Sequence, residues 1–312
     1  MTELVFDGLL AALVLAAGAW SIMARQMMTA VIVFITYGVL LSLAWVRLGA
    51  VDVALTEAAI GSGVTGMLLI GAAGKLGSDP SALRLPSLSS RGVAALLSVA
   101  VAMSLGAMSF LLPEEPVSLA GDAMRALPES GLGNPVAGVL FVFRAFDTLL
   151  EKIVLLLALL GVWSLAKDEA WGGIPGLKVL AQPGSVLPLL ARTLPPLGLV
   201  FGIYMTWAGA DVPGGAFQGG TVLAAMWILI IVAGLARFPP VGATAVRLAV
   251  AAGPAVFLLI GFAGFLWPGL FLAYPEGYAK PLIVVMELAL TLSIAVILGL
   301  LAAGPPQRPG AQ

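Results

Sequence analysis

The chain has no cysteine and no histidine. Disulfides, thiolate metal sites and thiol nucleophiles are therefore excluded. Imidazole ligation of zinc or haem and Ser-His triads are excluded with them. A proton relay must use Asp, Glu, Lys, Tyr or water. Charge is the next scarcity. Only 10% of the 312 residues are charged, against 61% hydrophobic, and the net charge is -1. There is no basic footprint for nucleic acid. There is also no polar segment long enough for a soluble catalytic domain, and no GxSxG or HExxH motif, so an enzyme is not expected. The N-terminus, MTELVFDGLL, lacks a basic n-region and reads as the start of a retained span.

What is present is repeated apolar length. Mean hydropathy is +1.09, and a bilayer needs about 20 apolar residues per helical span. Nine spans are expected, near Leu4–Met23, Met28–Val46, Val51–Gly74, Gly92–Leu112, Ala145–Ala166, Thr193–Gly209, Phe217–Ala236, Leu248–Leu266 and Pro281–Leu301. All should be helices, because a span must satisfy its own backbone. The fold class is thus all-α, a polytopic membrane protein of about nine helices in three packages. With the N-terminus outside, Arg25, Lys75, Arg84, Arg91, Lys167, Lys178, Arg192, Arg237, Arg247 and Arg308 lie inside. Only Arg47, Arg125, Arg144 and Lys280 lie outside, the bias the positive-inside rule requires. Breaks at Lys75–Arg91 and Lys167–Arg192 suggest modules at residues 1–85 (three helices), 86–180 (two helices) and 181–312 (four helices), and an acidic outer break, Pro113–Gly133, falls within the second. No sequence repeat relates the packages.

In so apolar a chain, ionisable residues within spans are the functional candidates. The third span opens DVALTEAAIGSGVTG. Asp52 lies at the interface, where an acid near a helix N-terminus is favoured as a cap. Glu57 lies roughly 8–9 Å into the span by helix rise and needs a partner, water or a proton. Gly61, Gly63 and Gly66 serve either close helix packing or a distorted turn that opens a water path. The fifth span opens FRAFDTLLEK. Arg144, Asp147 and Glu151 share one face at i, i+3, i+7, and Lys152 sits on another. The apolar run Pro135–Ala166 is too long for one straight span, so an interfacial segment near Pro135–Phe143 should turn into the membrane near Arg144 and let Arg144 pair with Asp147. That face is either a boundary salt-bridge ladder or a proton or cation path through Glu151.

The outer turn between spans six and seven is GADVPGGAFQGG, with Pro213, Gly214, Gly215, Gly219 and Gly220. A structural turn packed against a neighbour is the favoured reading, since no GK[ST] follows for a phosphate. Glu287 lies about two turns into span nine, alone among apolar residues. Pro254 in span eight suggests a kink. Glu57, Glu151 and Glu287 all lie roughly 6–10 Å below the outer boundary. They form either one hydrated half-channel or separate subunit contacts.

Together these motifs resemble subunits of Mrp-type multisubunit cation/proton antiporters and of respiratory membrane complexes related to complex I. DVALTEAAIGSG resembles the MbhD-like module found in the large subunit's C-terminal extension. FRAFDTLLE is similar to an MbhE-like FRG[FY]DTxGE pattern, with Ala145 and Leu150 in place of glycines. GADVPGGAFQGG resembles the MnhB-like GHxxPGGGFxGG, with Ala210 in place of histidine and Ala216 in place of the third glycine. The resemblance implies an accessory subunit in the cell's inner (plasma) membrane. Its partners would be other subunits, including large antiporter-like ones, together with H+, Na+ and the lipid bilayer. Glu57, Glu151, Asp147, Glu287 and Lys152 would serve an ion path, and Asp52, Gly61, Gly63, Arg144 and the glycine turn structure or gating. No cofactor or metal is expected. The alternatives are a scaffold whose acids only pair, and a stand-alone carrier.

Overall fold

The computed structural model describes residues 2–76, 87–112, 118–177, 179–180, 185–267 and 269–307. Most of the Lys75–Arg91 seam, part of the Pro113–Gly133 break, and Arg84, Lys178 and Arg308 lie outside the described residues.

Helices dominate. α1 (Thr2–Met23) and α2 (Met27–Arg47) pack as a pair, tied at one end by a bidentate Arg47–Asp7 contact at 2.8 and 3.1 Å. The third span is interrupted. α3 (Val51–Thr56) passes into a π-helical stretch, Glu57–Val64, and then into α4 (Thr65–Leu76). Close packing and a distorted turn both occur among these glycines. A Cβ at Gly66 would lie 2.6 Å from Ile35 of α2, and one at Gly61 would collide with the Glu57 carboxylate folded over it. The widened turn is supported by Ser62, whose hydroxyl donates to the Glu57 carbonyl.

α5 (Leu88–Leu111) is capped by Ser87, whose hydroxyl accepts from the Ser90 amide, and buries no residue within the chain. After α6 (Ala120–Ala126), α7 (Pro135–Gly138) leads through a π turn, Val139–Phe143, to a break at Arg144, where α8 (Ala145–Ser164) begins. The long apolar run is thus broken near Arg144, the position of the expected turn. The carbonyls freed at the break find distant donors. Thr148 donates to Leu140 at 2.6 Å and Tyr274 to Phe141 at 2.8 Å. Burial of the Tyr274 hydroxyl raises its pKa above the ordinary tyrosine value.

The last package is α9 (Leu187–Ala208), α10 (Ala216–Val232), α11 (Thr244–Leu266) and α12 (Ala279–Ala303). α12 is its axis, with Ile283, Met286, Leu290, Ile294 and Leu300 fully buried. α8 packs on α11 and α12. A two-residue antiparallel pairing, β1 (Ile174–Pro175) with β2 (Pro306–Gln307), fastens the end of the chain to the loop after α8.

Among the described residues, seven helices are long and apolar enough to cross a membrane. Of the nine expected spans, the two outside that set are α8, which carries Asp147, Glu151 and Lys152, and α10, with 17 residues. Pro254 lies within a continuous α11. The Val250 carbonyl, which has no amide to receive from Pro254, accepts the Ser293 hydroxyl of α12 at 2.6 Å.

Candidate functional site

A cavity of about 260 Å³ opens between the α3 segment, the middle segment and the last package. Its walls come from α3, the α7–α8 stretch, the glycine turn before α10, and α12. They carry Asp52, Glu151, Lys152 and Glu287. Thus two of the three acids placed at similar depth share one space, with a lysine between them.

Glu287 is only 2% exposed. The backbone amide of Ala216, the first residue of α10, donates to its carboxylate. A helix N-terminus is a favourable place for an anion. The local sequence makes this approach possible. Gly215 has φ +124, and a Cβ there would stand 2.9 Å from Glu287 Oε1. A side chain at that position would meet both backbone strain and the carboxylate. The second oxygen of Glu287, Oε2, is buried without a hydrogen-bond partner.

Lys152 is 4% exposed. Its Nζ lies 3.4 Å from the centroid of the Phe217 ring and 3.5 Å from Glu151 Oε1. A cation over an aromatic face is attracted by the ring quadrupole. The Glu151 side chain is 49% exposed and stands at the cavity mouth. The faces expected from spacing are therefore the observed ones, with Lys152 turned inward and its neighbour outward.

Asp52 closes another wall. Its Oδ1 accepts from the Gly214 amide at 2.9 Å. Gln218 donates to Thr56 Oγ1 at 3.1 Å and to the Asp52 carbonyl at 3.4 Å. The first-turn acid of α3 thus binds the glycine turn of the last package. A Cβ at Gly214 would lie 2.6 Å from the Met205 carbonyl, so this amide can reach Asp52 only from a glycine. Asn134 holds the same turn from the middle segment, donating to Gly209 O at 3.0 Å and Val212 O at 3.2 Å while capping α7. Asp211 in the turn pairs with Lys280 at 2.6 Å. The turn is a junction of three parts of the chain, in keeping with its reading as a packed structural turn.

The other expected residues fall outside the cavity. Glu57 is half-buried and faces α2, where its carboxylate covers Gly61 and Gly38. The reason is local. Asp52 and Thr56 face α10, and the π stretch starting at Glu57 carries the next side chain to the α2 side. Gly63 lines a separate apolar crevice of about 310 Å³ against α10. Arg144 and Asp147 form the expected pair, 2.5 Å apart and largely exposed at the head of α8. Pro213 is exposed in the turn. Gly219 and Gly220 are buried where α10 crosses α9 and α12. A Cβ at the first would collide with Thr206 Oγ1, and one at the second would stand 2.8 Å from Ile294. Phe217, Gln218 and Asn134 escaped notice in the sequence. Asn134 did carry a signal, since Asn before Pro is a helix-start pattern.

Two stretches of the chain match known families. Residues 12–78 match MbhD, described as the D subunit of MBH. Residues 186–304 match the domain related to the MnhB subunit of Na+/H+ antiporters. An uncharacterized protein of Methanocaldococcus jannaschii is 30% identical over 114 residues, which are 32% of this chain and 44% of that protein. A chain in the structure of the Mrp complex from Dietzia sp. DQ12-45-1b superposes with a TM-score of 0.74 at 25% identity, over 97% of this chain and 35% of that one. A chain of the archaeal membrane-bound sulfane sulfur reductase, a respiratory membrane complex, shares the fold over 68% of this chain and 97% of that one, with a TM-score of 0.53 and 21% identity. This chain therefore spans less than half the length of the first two relatives. The chain is a multi-pass membrane protein that carries an MbhD domain and an MnhB-related domain in one polypeptide and resembles a subunit of the Mrp complex.

Proposed function

We propose that this chain is an accessory subunit of a cation/proton antiporter complex, and that its junction cavity forms part of the ion path. The observation that carries the reading is the convergence of Glu151, Lys152 and Glu287 in one cavity, with a buried carboxylate oxygen left unpartnered. Ionisable groups at this depth are costly unless they serve a polar route. Large antiporter-like subunits supply the rest of the path, with H+ and Na+ as the ions. The chain sits in the cell's inner membrane with its N-terminus outside and its C-terminus in the cytoplasm, as the ten-to-four distribution of basic residues favours. In that orientation α3, α8 and α12 enter from the outer face and the cavity opens toward it. The Glu57 side of the π stretch is a second polar point on the same route.

A scaffold role has its own support in Asp52, which ties two domains through Gly214. The two readings separate on Glu151→Gln and Glu57→Gln. Impaired exchange in membranes holding an intact complex supports the path. Normal exchange in both, or loss of assembly as the sole defect, supports the scaffold. A cysteine at Ser87, added to a chain with none, tests orientation. Labelling of it from outside by an impermeant reagent overturns the assignment.

A further inference from the structure

We infer that Lys152 is a tethered cation that reserves the junction cavity for protons and keeps Na+ out of it, an inference that rests on the ion-path reading. The ionisable groups buried in the lining are Asp52, Lys152 and Glu287, and Asp52 is already tied to the Gly214 amide. The Glu287 charge that an entering Na+ would balance is already balanced by the Lys152 ammonium, which cannot leave. The ligand inventory points the same way. A hard cation that sheds its water needs several oxygens around it, whereas a proton needs one. Several of the cavity's oxygens are engaged. Asp52 Oδ1 is held by Gly214, the Thr148 hydroxyl donates to Leu140, and Glu287 accepts from Ala216. Among the described residues, Glu287 Oε2 is the buried carboxylate oxygen without a partner.

The geometry also gives the lysine two destinations. Glu151 lies at the mouth, 3.5 Å from Nζ, and Glu287 lies inside, close enough for the two charges to interact. Asp52 is the remaining titratable group in the lining, and the residues of α10 and the glycine turn there add none. When Glu287 takes a proton from water in the cavity it loses its negative charge, and Glu151 becomes the nearer counter-charge for Lys152. When that proton leaves, the ionised Glu287 draws the ammonium inward again. Nζ stays protonated throughout. Proton occupancy of Glu287 is thereby coupled to the position of a buried charge, and the Phe217 face provides a path of favourable contact between the two positions.

The test is site occupancy rather than transport. A hydrophobic carbodiimide modifies protonated carboxyls in apolar surroundings, and bound Na+ protects a carboxylate from it. Membranes containing the full chain with its partner subunits are treated at a series of pH values, in NaCl or in equal choline chloride, and modification at Glu287 is measured by mass spectrometry. In the wild type, labelling should rise as pH falls and be the same in both salts. In Lys152→Ser, which removes the cation, adds a hydroxyl and leaves the three carboxylates of Asp52, Glu151 and Glu287 in the lining, Na+ should slow labelling about tenfold at ten times its half-protecting concentration. Lys152→Arg, which keeps the charge, should remain insensitive to Na+. Protection by Na+ in the wild type overturns the inference outright. Absence of protection in a folded Lys152→Ser chain overturns the role of Lys152. Normal exchange in both Glu151→Gln and Glu57→Gln with Na+-insensitive labelling would instead sink the ion-path reading and leave the proton-only site standing.

Discussion

α5 and α12 are nearly indistinguishable by hydropathy and opposite in circumstance. Their apolar windows average 2.0 and 2.5, yet α12 buries 61% of its window inside the chain and α5 buries none. Hydropathy reports that a segment can leave water. It does not report what the segment meets afterwards, because lipid tails are as apolar as leucine. The difference lies in the neighbours. α12 is flanked by α8, α9, α10 and α11, whose small residues let backbones come close. At Gly253 an added Cβ would stand 2.9 Å from both Leu290 and Ser293. α5 has glycines of its own, but neither is approached. At Gly92 and Gly106 a Cβ would meet nothing within 4 Å. Among the described residues α5 buries no side chain and its faces are left for lipid or another subunit, whereas α12 is the core.

The sharpest way to break this contrast is to disturb the charges that α12 carries. Glu287→Leu removes the interior counter-charge of Lys152 and leaves Glu151, at the mouth, as its ion-pair partner. Removing one member of a buried charge pair costs up to about 3–5 kcal/mol, which the Glu151 contact offsets in part, so the variant should show a measurable loss of folded protein or of resistance to thermal unfolding in detergent. Adding Lys152→Leu should recover most of the loss, because replacing both charges by apolar groups avoids the stranded one. A double variant no better than the single would show that the two residues are not coupled.

Packing gives the next largest contrast. Leu290→Ala in α12 removes a fully buried side chain and should cost about 2–5 kcal/mol. Leu97→Ala in α5, at 60% exposure, should shift the unfolding of the isolated chain by no more than about 0.5 kcal/mol. If both variants were measured again in the assembled complex, an effect of Leu97→Ala appearing only there would locate a partner on α5. The glycines sharpen the same test. Gly219→Ala would drive a Cβ against the Gly202 carbonyl, 2.5 Å away, at a cost of about 1–3 kcal/mol from overpacking. Gly106→Ala in α5 has open space and should be neutral or slightly stabilising, since alanine favours a helix over glycine by about 1 kcal/mol.

The same physics decides what the sequence could reveal. Spans were legible because apolar length is a local property, and so was the turn into α8, since the apolar run was too long for one straight span. The different faces of Glu151 and Lys152 followed from helical spacing. The convergence of the site was not legible. Glu57 stood out by its motif and Glu287 lacked one, yet it is Glu287 that enters the cavity, because burial depends on which helix packs across from it. Polar partners at long range were equally silent. Tyr274 serves a carbonyl 133 residues away, Asn134 one 75 away, and Ser293 one 43 away. No periodicity announces such a bond, since each member looks like an ordinary polar residue in its own neighbourhood.

Ser293 offers the smallest effect and a clean internal control. Proline at 254 should kink a helix, because it withholds the amide that the carbonyl four residues earlier would accept. α11 nevertheless runs through Pro254, and the Val250 carbonyl takes the Ser293 hydroxyl of α12 instead. Ser293→Ala strands that carbonyl in the protein interior. Measured interhelical hydrogen bonds in membranes average about 0.6 kcal/mol, so a loss of about 0.5–1 kcal/mol is expected. Pro254→Ala restores an amide at position 254, which can reach Val250 within the helix. In that background Ser293→Ala should cost close to nothing. A double-mutant cycle by thermal unfolding therefore measures the bond as the difference between the two backgrounds. If Ser293→Ala cost the same in both, the hydroxyl would be acting through packing against Gly253 rather than by supplying the hydrogen bond that Pro254 withholds.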